Sequence, residues 1–246
     1  MTPVHTPARI AVLASGGGSN LQALLAHLDR LGAGRAGEVV LVASDRSSAG
    51  ALTRARDRGI AAVVHGHPAR PERGGEPLAA LLDPAAIDLV VLAGYLKLVP
   101  ADVVARFRGR MLNVHPALLP AFGGPGMYGH HVHAAVLAAG ATLSGPTVHF
   151  VDEVFDHGPI VAQWPVPVLP GDTVDALAAR VLRAEHALFP LAVDAVARGA
   201  IRLGPDGRVV RPASLGDDHG FALVRSPRAP DAACLFGAQR APLPPD

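Results

Sequence analysis

The chain has 246 residues, with 22 Lys and Arg against 21 Asp and Glu, and this formal charge of +1 provides no global attraction to nucleic acid or to a membrane. Half of its residues are hydrophobic, enough for one sizeable core and too many for a chain that is mainly disordered. The single cysteine, Cys234, excludes an internal disulfide framework and a cysteine-rich zinc site, and it suits a reducing compartment.

Met1–Arg9 holds prolines and a histidine but no positive segment followed by an apolar stretch, so it does not read as a secretory signal. No run reaches the roughly 18 apolar residues of a membrane span. The expectation is a soluble, cytoplasmic protein.

Short apolar runs then alternate with helical patterns. Arg9–Ala14, Val39–Ser44, Ala62–Val64, Leu89–Ala93 and Met111–His115 read as strands, and Asn20–Leu31, Gly50–Arg58, Pro77–Leu82 and Ala101–Phe107 as helices. Near-continuous apolar strands flanked by helices imply a mainly parallel sheet with helices on both faces. The fold class is therefore α/β of the doubly wound type, with ligands expected at the carboxyl ends of the strands.

The first strand runs into Ser15-Gly16-Gly17-Gly18-Ser19-Asn20, which opens the first helix. Glycines let the backbone approach a ligand closely, and a helix N-terminus offers unpaired N–H groups to an anion. Leu21 stands where the third glycine of a dinucleotide fingerprint would fall, and no Gly-Lys-Ser/Thr follows. A single phosphate monoester fits better than a dinucleotide or a triphosphate. The plainer alternative is a flexible turn with a helix cap.

In Asn113-Val114-His115-Pro116-Ala117-Leu118-Leu119-Pro120, an amide and an imidazole stand two residues apart on a strand and share one face. The proline places the pair at the strand end. An Asn that hydrogen-bonds an oxygen and a His that exchanges protons point to chemistry on an acyl or formyl carbon. A strand-end Asn beside a capping His is the alternative.

Beyond it, the glycines of Phe122–Gly129 read as a mobile loop, with His130, His131 and His133 as loop or substrate contacts. Their spacing is not that of a helix-face metal pair, so no metal is expected. Thr147–Val151 and Ile160–Val166 read as a strand pair around an acidic turn, Asp152–Gly158, in which Asp152, Glu153 or Asp156 could orient His115. Asp172–Arg198 forms a long amphipathic helix, with Asp172 and Thr173 offering the N-cap. From about Gly204 the chain turns rich in Pro, Gly, Arg and Asp and reads as irregular.

Ser15–Asn20, the segment Ala93-Gly94-Tyr95-Leu96-Lys97-Leu98-Val99, Asn113–Pro120, Thr147–Val151 and Asp152–Pro159 occur in the order seen in the phosphoribosylglycinamide formyltransferases, and residues 9 to 203 resemble that family. The resemblance implies a Rossmann-like formyltransferase fold. Residues 1–204 would form the catalytic domain, with a phosphate-binding N-terminal half and a folate-binding C-terminal half, and 205–246 an irregular extension. It implies transfer of the formyl group of 10-formyltetrahydrofolate, a co-substrate, to the amine of glycinamide ribonucleotide in purine biosynthesis. No metal is called for. The implied partners are these small molecules, not nucleic acid or membrane, with the chain as a monomer or homodimer.

By the same resemblance, Asn113 and His115 match the family's catalytic Asn and His, and Asp156 the Asp that raises the pKa of that His. Gly18, Ser19 and Asn20 match the phosphate-binding residues, and Pro116 and Glu185 further ribonucleotide contacts. Leu96, Lys97, Leu98 and Val99 match the pterin pocket, to which Asn113 also contributes. Val151, Asp152 and Asp156 belong to the loop that closes that pocket, and His149 matches a supporting histidine. Lys97 stands where many members carry Arg, which differs in donor geometry. The Phe122–Gly129 loop is longer than in compact members, and Arg70 or Arg73 stands near the family's upstream folate-contacting Arg.

Two relatives share the formyl-transfer core. A methionyl-tRNA formyltransferase would add a C-terminal RNA-binding barrel that the 205–246 segment does not resemble, and a formyltetrahydrofolate deformylase an N-terminal regulatory domain ahead of the first strand. A non-catalytic nucleotide- or folate-binding protein would have no use for the Asn113, His115 and Asp156 trio.

Overall fold

Residues 6–66 and 77–211 are described by a computed structural model; Arg70, Arg73, Cys234 and most of the expected C-terminal extension lie outside them. In chain order the elements are β1 (Ala8–Leu13), α1 (Ser19–Leu31), β2 (Gly37–Ser44), α2 (Gly50–Arg56), β3 (Ala61–Val64), α3 (Leu78–Leu82), β4 (Leu89–Leu92), α4 (Ala101–Arg106), β5 (Met111–His115) and α5 (His130–Ala138). There follow β6 (Leu143–Ser144), β7 (Thr147–Phe150), β8 (Ile160–Gln163), β9 (Val166–Pro167), α6 (Val174–Ala197), β10 (Arg202–Leu203) and β11 (Val209–Val210).

Seven strands form one sheet in the order β3-β2-β1-β4-β5-β7-β8. The five from the first half are parallel, and β7 and β8 are antiparallel. Alternation along each strand divides the core in two. Ile10, Val12, Val91, Leu112 and Val114 pack against α1, α2 and α6, while Ala11, Leu13, Val90, Leu92 and Met111 pack against α3 and α4. The strand order reverses between β1 and β4, and in such sheets that crevice is where ligands bind. Here Ser15 N donates to the Gly94 carbonyl at 3.0 Å and Leu96 N to Ser15 Oγ at 3.0 Å, tying the glycine turn to the segment after β4.

The second half departs from expectation in three places. The strand expected over Ile160–Val166 breaks at Pro165, which has no N–H for a ladder. Val166 then pairs with Ser144 in a separate two-stranded ribbon. His130, His131 and His133 do not sit in a loop. They form the first turn of α5, whose Val136 packs with Leu177, Val181 and Ala184 of α6. Finally, the expected boundary at residue 204 falls inside a hairpin, since Arg202–Leu203 pairs with Val209–Val210.

Helix α6 carries the expected cap, with Thr173 Oγ1 accepting from Ala176 N at 3.1 Å. It continues through Pro190, which is itself buried among Leu188, Phe189, Ala192 and Val193. Apolar burial on this scale offsets the roughly 3 kcal/mol that an interior proline costs. Among the described residues no helix is long and apolar enough to cross a membrane.

Candidate active site

β5 ends at the carboxyl edge of the sheet, and its antiparallel neighbour β7 sets Asn113 opposite His149 and His115 opposite Thr147. Met111, Asn113 and His115 share one strand face, and Leu112 and Val114 anchor the other in the core. Directly opposed side chains in an antiparallel pair lie close together. Accordingly, Asn113 Nδ2 donates to His149 Nε2 at 3.0 Å. The His149 Nδ1–H is occupied by the Phe150 carbonyl at 2.8 Å, which leaves Nε2 as the acceptor. Burial lowers the pKa of His149, against the opposing pull of that carbonyl and of Asp156, and the ring is neutral.

The acidic turn contributes one carboxylate to this cluster. Asp156 Oδ2 lies 3.3 Å from His115 Nδ1, and Oδ1 accepts from Asn113 Nδ2 at 3.4 Å. Asp152 instead pairs with the exposed His157 at 2.7 Å, and Glu153 is exposed. Asp156 has φ of 54°, a left-handed conformation that Asp tolerates better than most residues. Gly158 packs so tightly beneath the turn that a Cβ there would overlap the Phe150 carbonyl. Burial raises the Asp156 pKa, but hydrogen bonding and charge from His115, with the Gly124 N–H at 3.0 Å, lower it further, so the net shift is downward.

His115 is only 3% exposed, and both of its ring nitrogens face acceptors. Nδ1 faces Asp156, and Nε2 donates to the Phe122 carbonyl at 2.8 Å. Two acceptors on one imidazole are satisfied together only when both nitrogens carry protons. Beneath the pair, Thr147 Oγ1 accepts from Leu119 N and from Gln163 Nε2 and donates to the Ala117 carbonyl at 2.6 Å, pinning the chain from Pro116 to Pro120.

These groups open into a cavity of about 630 Å³. Its lining includes Asn113, His115, Pro116, His149, Asp156, Val151 and Asp152, the segment Leu96–Val99, and, from α1 and α6, Asn20 and Glu185. Gly18 and Ser19 do not line it. Gly18, with φ of 77°, begins α1, and a Cβ on it would come within 2.8 Å of Ala51 Cα, so this turn requires glycine. The Asn20 side chain faces inward: Nδ2 donates to Glu185 Oε2 at 2.8 Å across the interior. Burial raises the Glu185 pKa, opposed by the Asn20 hydrogen bond and by His115.

Sequence reasoning missed three contributors, and it placed a fourth, His133, in a loop as a substrate contact. His133, on α5, lines the cavity and has its pKa lowered by burial and by His130 and His115. Tyr95 lines it too and donates to His65 Nε2 at 3.1 Å, because His65 Nδ1–H is taken by the Gly66 carbonyl. The Phe122 carbonyl and the Thr147–Gln163 pair are the others, and neither a carbonyl nor a buried hydroxyl leaves a signal in a motif. Leu96, Leu98, Val154 and Phe155 place exposed apolar surface along the cavity. Among the described residues no group of three or more His, Cys, Asp or Glu could hold a metal ion.

Residues 8–193 match the family described as formyl transferase. Over 82% of its length the chain is 45% identical to the chloroplastic phosphoribosylglycinamide formyltransferase of Arabidopsis thaliana, of which it covers 70%. It is 42% identical to the trifunctional purine biosynthetic protein adenosine-3 of Bos taurus, spanning 20% of that much longer chain. The crystal structure of glycinamide ribonucleotide transformylase 1 from Symbiobacterium toebii superposes with a TM-score of 0.72 at 43% identity, covering 82% of this chain and 93% of that one. The chain belongs to the formyl transferase family, in its phosphoribosylglycinamide formyltransferase branch.

Proposed function

We propose that the chain, in the cytoplasm, transfers the formyl group of 10-formyltetrahydrofolate to the amine of glycinamide ribonucleotide through the Asn113–His115–Asp156 cluster. The observation that carries this is that the cluster shares one cavity with the Leu96–Val99 segment, with Asn20 at the start of α1 and with Glu185 in the middle of α6.

The pterin and its aromatic extension lie against Leu96, Leu98, Val154 and Phe155, closed over by the turn from Val151 to Asp156. Lys97 offers the folate carboxylates a point charge rather than the bidentate fork of an Arg. At the opposite end, the N–H groups of Gly18–Asn20 and the Ser19 hydroxyl take the phosphate, while Glu185 and Pro116 meet the ribonucleotide.

The amine attacks the formyl carbon, a C–N bond forms, and negative charge collects on the formyl oxygen. Asn113 Nδ2 gives up its long 3.4 Å contact to Asp156 and donates to that oxygen, keeping the shorter bond to neutral His149. His115, held by acceptors on both nitrogens, acts as a fixed positive charge beside the oxyanion. A positioned donor of this kind is commonly worth about 3 kcal/mol of barrier. Asp156 holds a water that carries the amine proton to the departing folate nitrogen as the C–N bond to folate breaks. His149 keeps Asn113 in its orientation.

The direct test mixes purified protein with both substrates and follows tetrahydrofolate release. Turnover dependent on the ribonucleotide is expected. Ligand binding without turnover would favour a binding protein, and formate release without the ribonucleotide a deformylase.

A further inference from the structure

Among the described residues only Ala86, Phe122 and Asp156 combine a side chain with a left-handed backbone. Two of these three meet on one imidazole. Asp156, with φ of 54°, faces His115 Nδ1, and Phe122, with φ of 57°, gives its carbonyl to Nε2 at 2.8 Å. Asp tolerates this conformation, whereas a bulky residue such as Phe is strained in it. Such strain persists only where the surrounding structure over-determines it, and it gathers at functional sites.

What holds Phe122 is apolar packing. Its side chain lies against the cluster formed by Val136 of α5, Val166 of β9, and Leu177, Val181 and Ala184 of α6. Phe122 does not line the cavity, so its influence on the reaction passes through the groups it holds. The two residues after it touch the other member of the pair. Gly124 N donates to Asp156 Oδ2 at 3.0 Å, and a Cβ on Gly123 would lie 3.1 Å from Asp156 Cβ. His115 is only 3% exposed, so bulk water does not stand ready to replace a lost carbonyl.

We propose that Phe122 is the positioning residue for His115: its side chain, seated between α5 and α6, presses a strained backbone inward and keeps the carbonyl bond to Nε2 made. The orientation of the imidazole is thereby tied to the packing of two helices that lie far from it in sequence. The kinetic consequence rests on the assigned reaction, but the hydrogen bond can be observed without substrate.

Three variants separate the side chain from the strain. Phe122→Leu keeps an apolar side chain, Phe122→Ala removes it and keeps the strain, and Phe122→Gly removes both. Glycine is at ease at this φ, so the Gly variant should melt no lower than the Ala variant. With glycinamide ribonucleotide and 10-formyltetrahydrofolate, both are expected to lose about tenfold or more in kcat, with each KM within about twofold of wild type. Phe122→Leu should recover kcat to within about threefold of wild type. A merely structural role makes kcat follow the melting temperature and places Gly above Ala; positioning places Gly level with Ala or below it. In substrate-free protein labelled with nitrogen-15, the His115 Nε2–H resonance should be protected from solvent exchange in wild type and Phe122→Leu, and lose that protection in the other two. The proposal is overturned if Phe122→Ala keeps kcat within about twofold of wild type. It is also overturned if kcat follows the melting temperatures, or if the Nε2–H protection survives in the Ala and Gly variants. A wild type that fails to formylate the ribonucleotide, yet loses the protected Nε2–H on Phe122→Ala, would sink the assigned reaction and uphold the positioning.

Discussion

Around His115 the site is built from side chains, whereas around Gly18 it is built from backbone. The first region draws Asn113 and His115 from β5, His149 from β7 and Asp156 from a turn, and each is held by at least one named partner. The second needs only a left-handed glycine at the start of α1 and the absence of a Cβ against Ala51. The contrast teaches that the two regions fail differently. Changing a charge in the first should strike the chemical step, while changing shape in the second should strike binding and folding.

The largest effects should separate them. Asp156→Asn and His115→Ala are expected to lower kcat by about 100- to 1,000-fold, with KM for either substrate nearly unchanged. Steady-state kinetics check this, and a loss confined to KM would remove both residues from the chemistry. Gly18→Ala places a Cβ on a residue with φ of 77° and against Ala51, so a loss of about 1–3 kcal/mol in denaturant-measured stability is expected. If its KM for the ribonucleotide and its stability both stayed at wild-type levels, the backbone would not be what that region depends on. Ser19→Ala, at the same turn, should raise the ribonucleotide KM by no more than about tenfold and leave the folate KM alone. An effect confined to folate would move the phosphate elsewhere.

The smallest effect concerns pH. The pKa values of His149 and His133 are lowered from 6.5, chiefly by burial, so below that value the unfolded chain takes up protons that the folded chain refuses. Their contribution to stability is full above pH 6.5 and declines as pH falls toward their folded values. Asp156 is lowered from 3.8, so its contribution persists above about that pH and is lost only as pH falls through its folded pKa. Melting temperature should therefore fall between pH 6.5 and 5 through His149 and His133, with His27 and His186, also lowered by burial, adding to the fall and the raised Glu185 opposing it. His149→Gln should reduce the fall, and an unchanged profile in that variant would mean that the His149 ring is not held neutral.

Particular residues show how far the sequence could be read. The glycine turn was legible because three consecutive glycines between an apolar strand and an amphipathic helix have few other uses. Asn113 and His115 were legible as a same-face pair because strand periodicity is local. Which acid meets His115 was open on the residues alone, since Asp152, Glu153 and Asp156 lie within five positions and only the fold of the turn over Gly158 turns one of them inward. Helix α5 was missed because His130–Ala138 lacks a clear polar and apolar division, and what orders it is packing against α6. The inward turn of Asn20 was invisible too, because its partner lies 165 residues away.

By itself, the sequence determined the doubly wound class, the strand end at His115, the glycine turn and the residue types available for formyl transfer, because each depends on local periodicity or on a single residue's backbone freedom. Only the tertiary structure decided which of those residues meet. The register of β7 on β5 put His149 beside Asn113, the turn after β7 aimed Asp156 at His115, and the packing of α6 on α1 brought Glu185 to Asn20. Such meetings are contacts between segments far apart in the chain, and burial and hydrogen-bond satisfaction over the whole fold select them.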